Sequence, residues 1–127
     1  MSCAISSARQ AAVRVASLFL ALAWTASAGA HAFPKHAEPP AGAILSAAPR
    51  EVLVRFDRIL EPAFTTLRVL DASGKRVDQG DAHLLSTDAR VVRVGLSPLG
   101  PGTYRVRWIA VERDGHRTEG DYSFTIR

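Results

Sequence analysis

The sequence predicts an all-β domain, a β-sandwich or Greek-key barrel. Three observations carry this. About six or seven short apolar segments recur at regular spacing, divided by Pro, Gly and Asp. The two strongest segments, residues 103–111 and 121–126, alternate apolar and polar positions with the period of a strand. No stretch carries an apolar stripe at the helical period.

Taken in order, Glu51–Phe56 alternates so that Val52, Val54 and Phe56 share a face. Thr66–Leu70 brings Leu67 and Val69 together. Asp71-Ala72-Ser73-Gly74 reads as a hairpin turn with Gly74 in the left-handed region, and residues 75–79 as the return strand. Residues 91–94 form another short strand, and residues 97–102 (SPLGPG) are too dense in breakers to be anything but a loop. In residues 103–111, Tyr104, Val106 and Trp108 lie on one side and Arg105 and Arg107 on the other, which makes both aromatic residues core. Residues 121–126 repeat the alternation with Tyr122, Phe124 and Ile126. The connection between these last two strands, residues 112–120, is short and polar. It puts Asp114 and His116 where a strand end meets a loop, a place where a rigid scaffold exposes ligands. If the segment is extended, both project to the same side.

Residues 1–30 read as a secretory signal cleaved after Ala30. Arg9 and Arg14 are basic with no acidic residue nearby, residues 15–24 are apolar, and residues 25–30 are small, ending in Ala28-Gly29-Ala30. The apolar stretch is far shorter than the roughly 20 residues a bilayer span needs. Residues 31–127 then form one exported domain. Its core alone must hold it, because the single cysteine, Cys3, leaves with the signal. Of 16 basic residues, Arg9 and Arg14 leave as well, so 14 face 12 acidic residues, a net charge of +2. The arginines are dispersed along the strands, without the basic patch and aromatic platforms that nucleic acid requires. Met1 is the only methionine, which excludes a thioether-rich Cu(I) site.

Cleavage after Ala30 makes His31 the mature N-terminus. A terminal histidine offers a metal its α-amine and its ring Nδ1 in one chelate. Asp114-Gly115-His116 supplies a carboxylate and a second imidazole. Three nitrogens and one oxygen suit tetragonal Cu(II), which stands above Zn(II) in the affinity order for such donors. An amine (about 7.7–8.0) and an imidazole (about 6.5) must both shed protons to bind, so affinity falls as pH drops. His36 and His83 are read as surface residues rather than ligands.

Together these residues resemble the CopC-type periplasmic copper-binding proteins. The resemblance spans the whole mature chain. It runs through His31-Ala32-Phe33, Glu38-Pro39-Pro40-Ala41-Gly42-Ala43-Ile44-Leu45, Val54-Arg55-Phe56 and Glu61-Pro62-Ala63-Phe64. It continues in Leu99-Gly100-Pro101-Gly102-Thr103-Tyr104-Arg105-Val106-Arg107-Trp108, Asp114-Gly115-His116 and Gly120-Asp121-Tyr122-Ser123-Phe124. The pieces are individually weak, and their order and spacing make them specific. The resemblance implies a seven-stranded Greek-key β-barrel, immunoglobulin-like, that holds one Cu(II) per chain in the bacterial periplasm and serves copper resistance or uptake. It implies four ligand atoms: the His31 amine, the His31 ring, Asp114 and His116. It also implies a monomer that sequesters copper or passes it to an inner-membrane transporter of the CopD type. Two departures stand out. Some members carry an acidic residue in an F-S-E segment near the metal, where Phe56-Asp57-Arg58 here has arginine. Some carry a methionine-rich loop for Cu(I), and residues 80–85 have no methionine.

Two other functions fit parts of the pattern. A terminal histidine with a second histidine also resembles the brace of copper monooxygenases, although Asp114 would fill the coordination position such an enzyme leaves open. An immunoglobulin-like interaction module needs no metal at all. No Ser-His-Asp arrangement, phosphate-cradling loop or paired-carboxylate motif stands out, and the reading is of a protein that is not an enzyme.

Overall fold

The computed structural model describes residues 31–127, so the signal expected over residues 1–30 lies outside the described residues. Among the described residues there is no helix, and hence none long and apolar enough to cross a membrane. Eight strands form two four-stranded sheets. They are β1 (Pro34–Glu38), β2 (Ile44–Leu45), β3 (Glu51–Phe56), β4 (Thr66–Leu70), β5 (His83–Leu85), β6 (Asp88–Gly95), β7 (Gly102–Val111) and β8 (Arg117–Ile126). One sheet runs β1-β3-β6-β5 and the other β2-β8-β7-β4, so the chain passes repeatedly between layers, the connectivity of a Greek-key sandwich. The count exceeds the expected seven because the two-residue β2 pairs in parallel with the end of β8.

The strands form where the alternation points. In β3, Val52, Val54 and Phe56 are buried, and in β4, Leu67 and Val69. In β7, Tyr104, Val106, Trp108 and Ala110 point inward, and Phe124 and Ile126 do so from β8. Two aromatic pairs anchor the packing. Phe56 and Trp108 meet edge to face at 5.1 Å across the two layers, and Tyr104 stacks on Phe124 at 5.5 Å. The Tyr104 hydroxyl donates to the Gly100 carbonyl at 2.7 Å and ties the 97–102 loop to the core. Trp108 lies so close over Gly120 that a Cβ there would stand 2.6 Å from the indole, so only glycine fits this register position.

Two local expectations are corrected. Residues 75–79 are not a return strand. The Asp71–Gly74 turn forms as expected, with Gly74 at φ 85° and the Asp71 carboxylate accepting from Ser73 and Lys75. The Ser73 hydroxyl, foremost among these donors, holds the Asp71 carboxyl below its ordinary range. Beyond the turn the chain crosses from one sheet to the other. Val77 donates to Val69 of β4, while Gln79 donates to Gly95 of β6, so neither sheet is extended by more than single bridges. The Asp78 carboxylate, with its side chain fully buried, fixes the crossing by accepting from Val69 and Gly80 and from Arg76. The second correction concerns residues 112–120. β8 begins at Arg117, so the link between β7 and β8 is only residues 112–116.

Candidate metal centre

The longest ladder in the molecule delivers the site. β7 and β8 pair without a register break from Gly102↔Ile126 to Val111↔Arg117, and the hairpin closes through residues 112–116. Glu112 N–H donates to the His116 carbonyl (2.9 Å) and Gly115 N–H to the Glu112 carbonyl (2.9 Å), with Gly115 at φ 91°, a conformation glycine takes without strain. The segment is therefore a tight turn, and the expectation of an extended stretch with 114 and 116 side by side is replaced by a closer contact. Asp114 Oδ1 accepts from the His116 backbone N–H at 3.1 Å, and Asp114 Oδ2 lies 2.8 Å from His116 Nδ1. The backbone N–H first, then the ring, holds the Asp114 carboxyl below the usual aspartate range, so it is an anion throughout the neutral range. Both side chains are exposed at the hairpin tip.

His31 arrives from the other sheet. Ala32 is buried, and its carbonyl accepts from the Thr118 hydroxyl at 2.8 Å, which staples the segment before β1 to the start of β8. Phe33 N–H donates to Asp57 Oδ1 (2.9 Å) and Asp57 N–H donates back to the Phe33 carbonyl (3.0 Å). With residues 32 and 33 thus fixed, the His31 ring stands 5.4 Å from the His116 ring, edge to face at 82°. The three residues singled out from the sequence are gathered at one end of the sandwich. His36 and His83 are elsewhere: His36 faces Glu38 at 3.0 Å on β1, and His83 Nδ1 contacts the Asp81 carbonyl at 2.7 Å on β5.

Sequence reasoning missed one member. Glu112 is buried at 7% exposure, and its carboxylate lies with the donor atoms of Asp114 and His116 inside a span of 4.8 Å. An acid at the end of a strand reads as solvated turn. The available signal was the phase of β7, since inward positions 104, 106, 108 and 110 lead on to 112. Arg58, at the position where an acid was looked for, puts Nε 3.8 Å from Glu112 Oε1.

Imidazole, carboxylate and a nearby second imidazole are donors that suit divalent first-row metals, Cu(II) foremost. The family model described as CopC domain matches residues 34–127. Protein YobA of Escherichia coli K12 is 33% identical over 104 residues, covering 81% of this chain and 84% of that protein. Copper transport protein CutJ of Bacillus subtilis is 31% identical over 76% of this chain, a stretch that makes up 18% of CutJ. Among solved structures, CopC from Methylosinus trichosporium OB3b superposes with a TM-score of 0.70 at 34% identity, covering 76% of this chain and 93% of that one. PcoC, a methionine-rich copper resistance protein from Escherichia coli, superposes at 0.66 with 30% identity, covering 77% and 100%.

Proposed function

The chain belongs to the CopC family, and from that premise we propose that it is a periplasmic Cu(II)-binding protein of copper homeostasis and resistance. The observation that carries this reading is the meeting of His31 with the Asp114–His116 pair, drawn from opposite ends of the chain and from different layers. One Cu(II) per chain is held by the α-amine and ring of His31, by Asp114 and by His116, after removal of residues 1–30. Loading exchanges the Asp114–His116 hydrogen bond for bonds to the ion, and the anionic Asp114 offsets part of its charge. With only Met1 in the sequence, the domain offers no thioether set for Cu(I).

The protein acts as a monomeric carrier that sequesters copper or hands it to an inner-membrane transporter of the CopD type. The likeness to a fraction of a protein named for copper transport supports that pairing, since a segment like this one is there joined to further chain. Catalysis is not part of the reading. Reductant-driven oxygen consumption by the copper-loaded protein is expected to stay at the level of free chelated copper, and sustained turnover would favour a monooxygenase instead.

The direct test is Cu(II) EPR on protein beginning at His31. The wild type is expected to give a nitrogen-rich tetragonal spectrum at one equivalent. His116→Ala and Asp114→Ala are expected to lose it or to weaken binding by well over about 10-fold, the scale on which even outer partners of a metal act. A His116→Ala protein that titrates like the wild type would return the domain to a metal-free interaction module.

A further inference from the structure

Along β7 the inward phase carries Tyr104, Val106, Trp108 and Ala110, and the next inward position is occupied by an acid. Glu112 is anchored through its backbone by the His116 carbonyl and by a bridge to Leu60, which fixes where its side chain leaves the strand. One of its oxygens, Oε1, lies on the Arg58 side at 3.8 Å, beyond ordinary hydrogen-bond length. The other, Oε2, is buried and has no hydrogen-bond partner among the described residues. A buried carboxylate is costly unless it is paired, hydrogen-bonded or bound to a metal. Its ligand atom already lies within 4.8 Å of those of Asp114 and His116, near enough for side-chain rotation to bring all three onto one ion.

We infer that Glu112 Oε2 is a further oxygen donor to the ion held at this end of the sandwich. The inference rests on reading the site as a Cu(II) centre and extends its ligand set inward, from the exposed hairpin tip to the floor of the site. Asp114 and Glu112 then both face the ion with carboxylate oxygens, Glu112 sharing its charge with Arg58 through Oε1. A second hard oxygen weights the site towards Cu(II) and against Cu(I), which prefers soft donors. The orphaned oxygen acquires a partner only when the metal binds, so part of the cost of its burial is relieved at that moment.

Glu112→Gln keeps the size of the side chain and removes its charge. Protein beginning at His31 is titrated with Cu(II) and with Cu(I) against chelators, Cu(II) EPR is recorded, and the metal-free melting temperature is measured in parallel. The expected result is a Cu(II) Kd raised at least about 10-fold, altered EPR parameters, and a smaller change for Cu(I), with metal-free stability unchanged or higher. A Kd and spectrum equal to wild type would overturn the inference, because a carboxylate that only pairs with Arg58 would affect folding and not the metal. Should the variant fail to fold, infrared difference spectra on copper loading read the wild-type carboxylates directly. Asp114→Asn, brought to full occupancy with excess Cu(II) and shown by EPR to be loaded, is expected to retain one metal-sensitive carboxylate band, and its disappearance in the loaded variant would count against Glu112. Absence of any nitrogen-rich Cu(II) signal in the wild type would instead sink the reading of the whole site.

Discussion

At the scale of single residues, the α-nitrogen of His31 is what completes the centre on the proposed ligand set. A free amine and its own ring close a chelate directly, whereas an amide nitrogen must first give up its backbone proton. Protein beginning at His31 with its amine acetylated is expected to bind Cu(II) at least about 10-fold more weakly and to lose one nitrogen from its EPR hyperfine pattern. The shared Asp114–His116 contact does not depend on that terminus and remains in both forms. The sequence disclosed three members of the site because their chemistry is unusual in combination: a histidine after a small-x-small run, and an acid and imidazole two apart. It hid Glu112, whose role depends on the inward phase of β7 continuing past the last regular pair, Val111↔Arg117.

At the scale of elements, the site is held by attachments that are themselves ordinary. The Thr118 hydroxyl on the Ala32 carbonyl joins the start of β8 to the residue beside His31. Thr118→Val preserves shape and removes that bond. It is expected to raise the Cu(II) Kd about 10-fold or more while changing the melt by only about 1 kcal/mol, because Ala32 loses its anchor and His31 its bearing on His116. Farther along β8 the buried Tyr122 hydroxyl has no hydrogen-bond partner among the described residues, and burial pushes its ionisation well above the ordinary tyrosine range. The fold thus favours the neutral phenol. The associated stability is complete below the unfolded value of about 10 and is lost as pH rises from there towards the folded value. Tyr122→Phe is expected to be equal to wild type or about 1 kcal/mol more stable at neutral pH, and to retain more of its stability at pH 11, as measured by urea melts. Strands β3, β4, β7 and β8 were legible because each buries one face against one partner layer. β1, β2 and β5 were not. They are short, and their residues are largely exposed or half-buried, so no apolar alternation marks them. Residues 75–79 misled because a tight turn after a strand implies a hairpin, whereas a buried Asp78 turns the chain to the opposite sheet.

At the scale of the molecule, the centre lies across the gap between layers. His31 precedes β1 of one sheet, and Asp114 and His116 cap the β7–β8 hairpin of the other. On the proposed reading a bound metal would fasten the sheets at one end, a role no disulfide can take, Cys3 being the only cysteine in the sequence. Free Cu(II) held 100-fold above its Kd is expected to stabilise the fold by about 2.7 kcal/mol, read as an upward shift in melting temperature that Asp114→Ala diminishes, whereas a thiol reductant leaves the melting temperature of the metal-free protein unchanged. The outer strands give little template for association. β1 carries Pro34 and Lys35, β5 is three residues long, and β4 presents Arg68, the features by which sheet edges avoid pairing with one another.

The Thr118–Ala32 attachment joins residues 86 positions apart. A chain still folding, or one opened by damage, has its first imidazole adrift from the second. On the proposed ligand set such a chain grips cupric ion less tightly than the finished fold, so occupancy at scarce copper reports correct assembly.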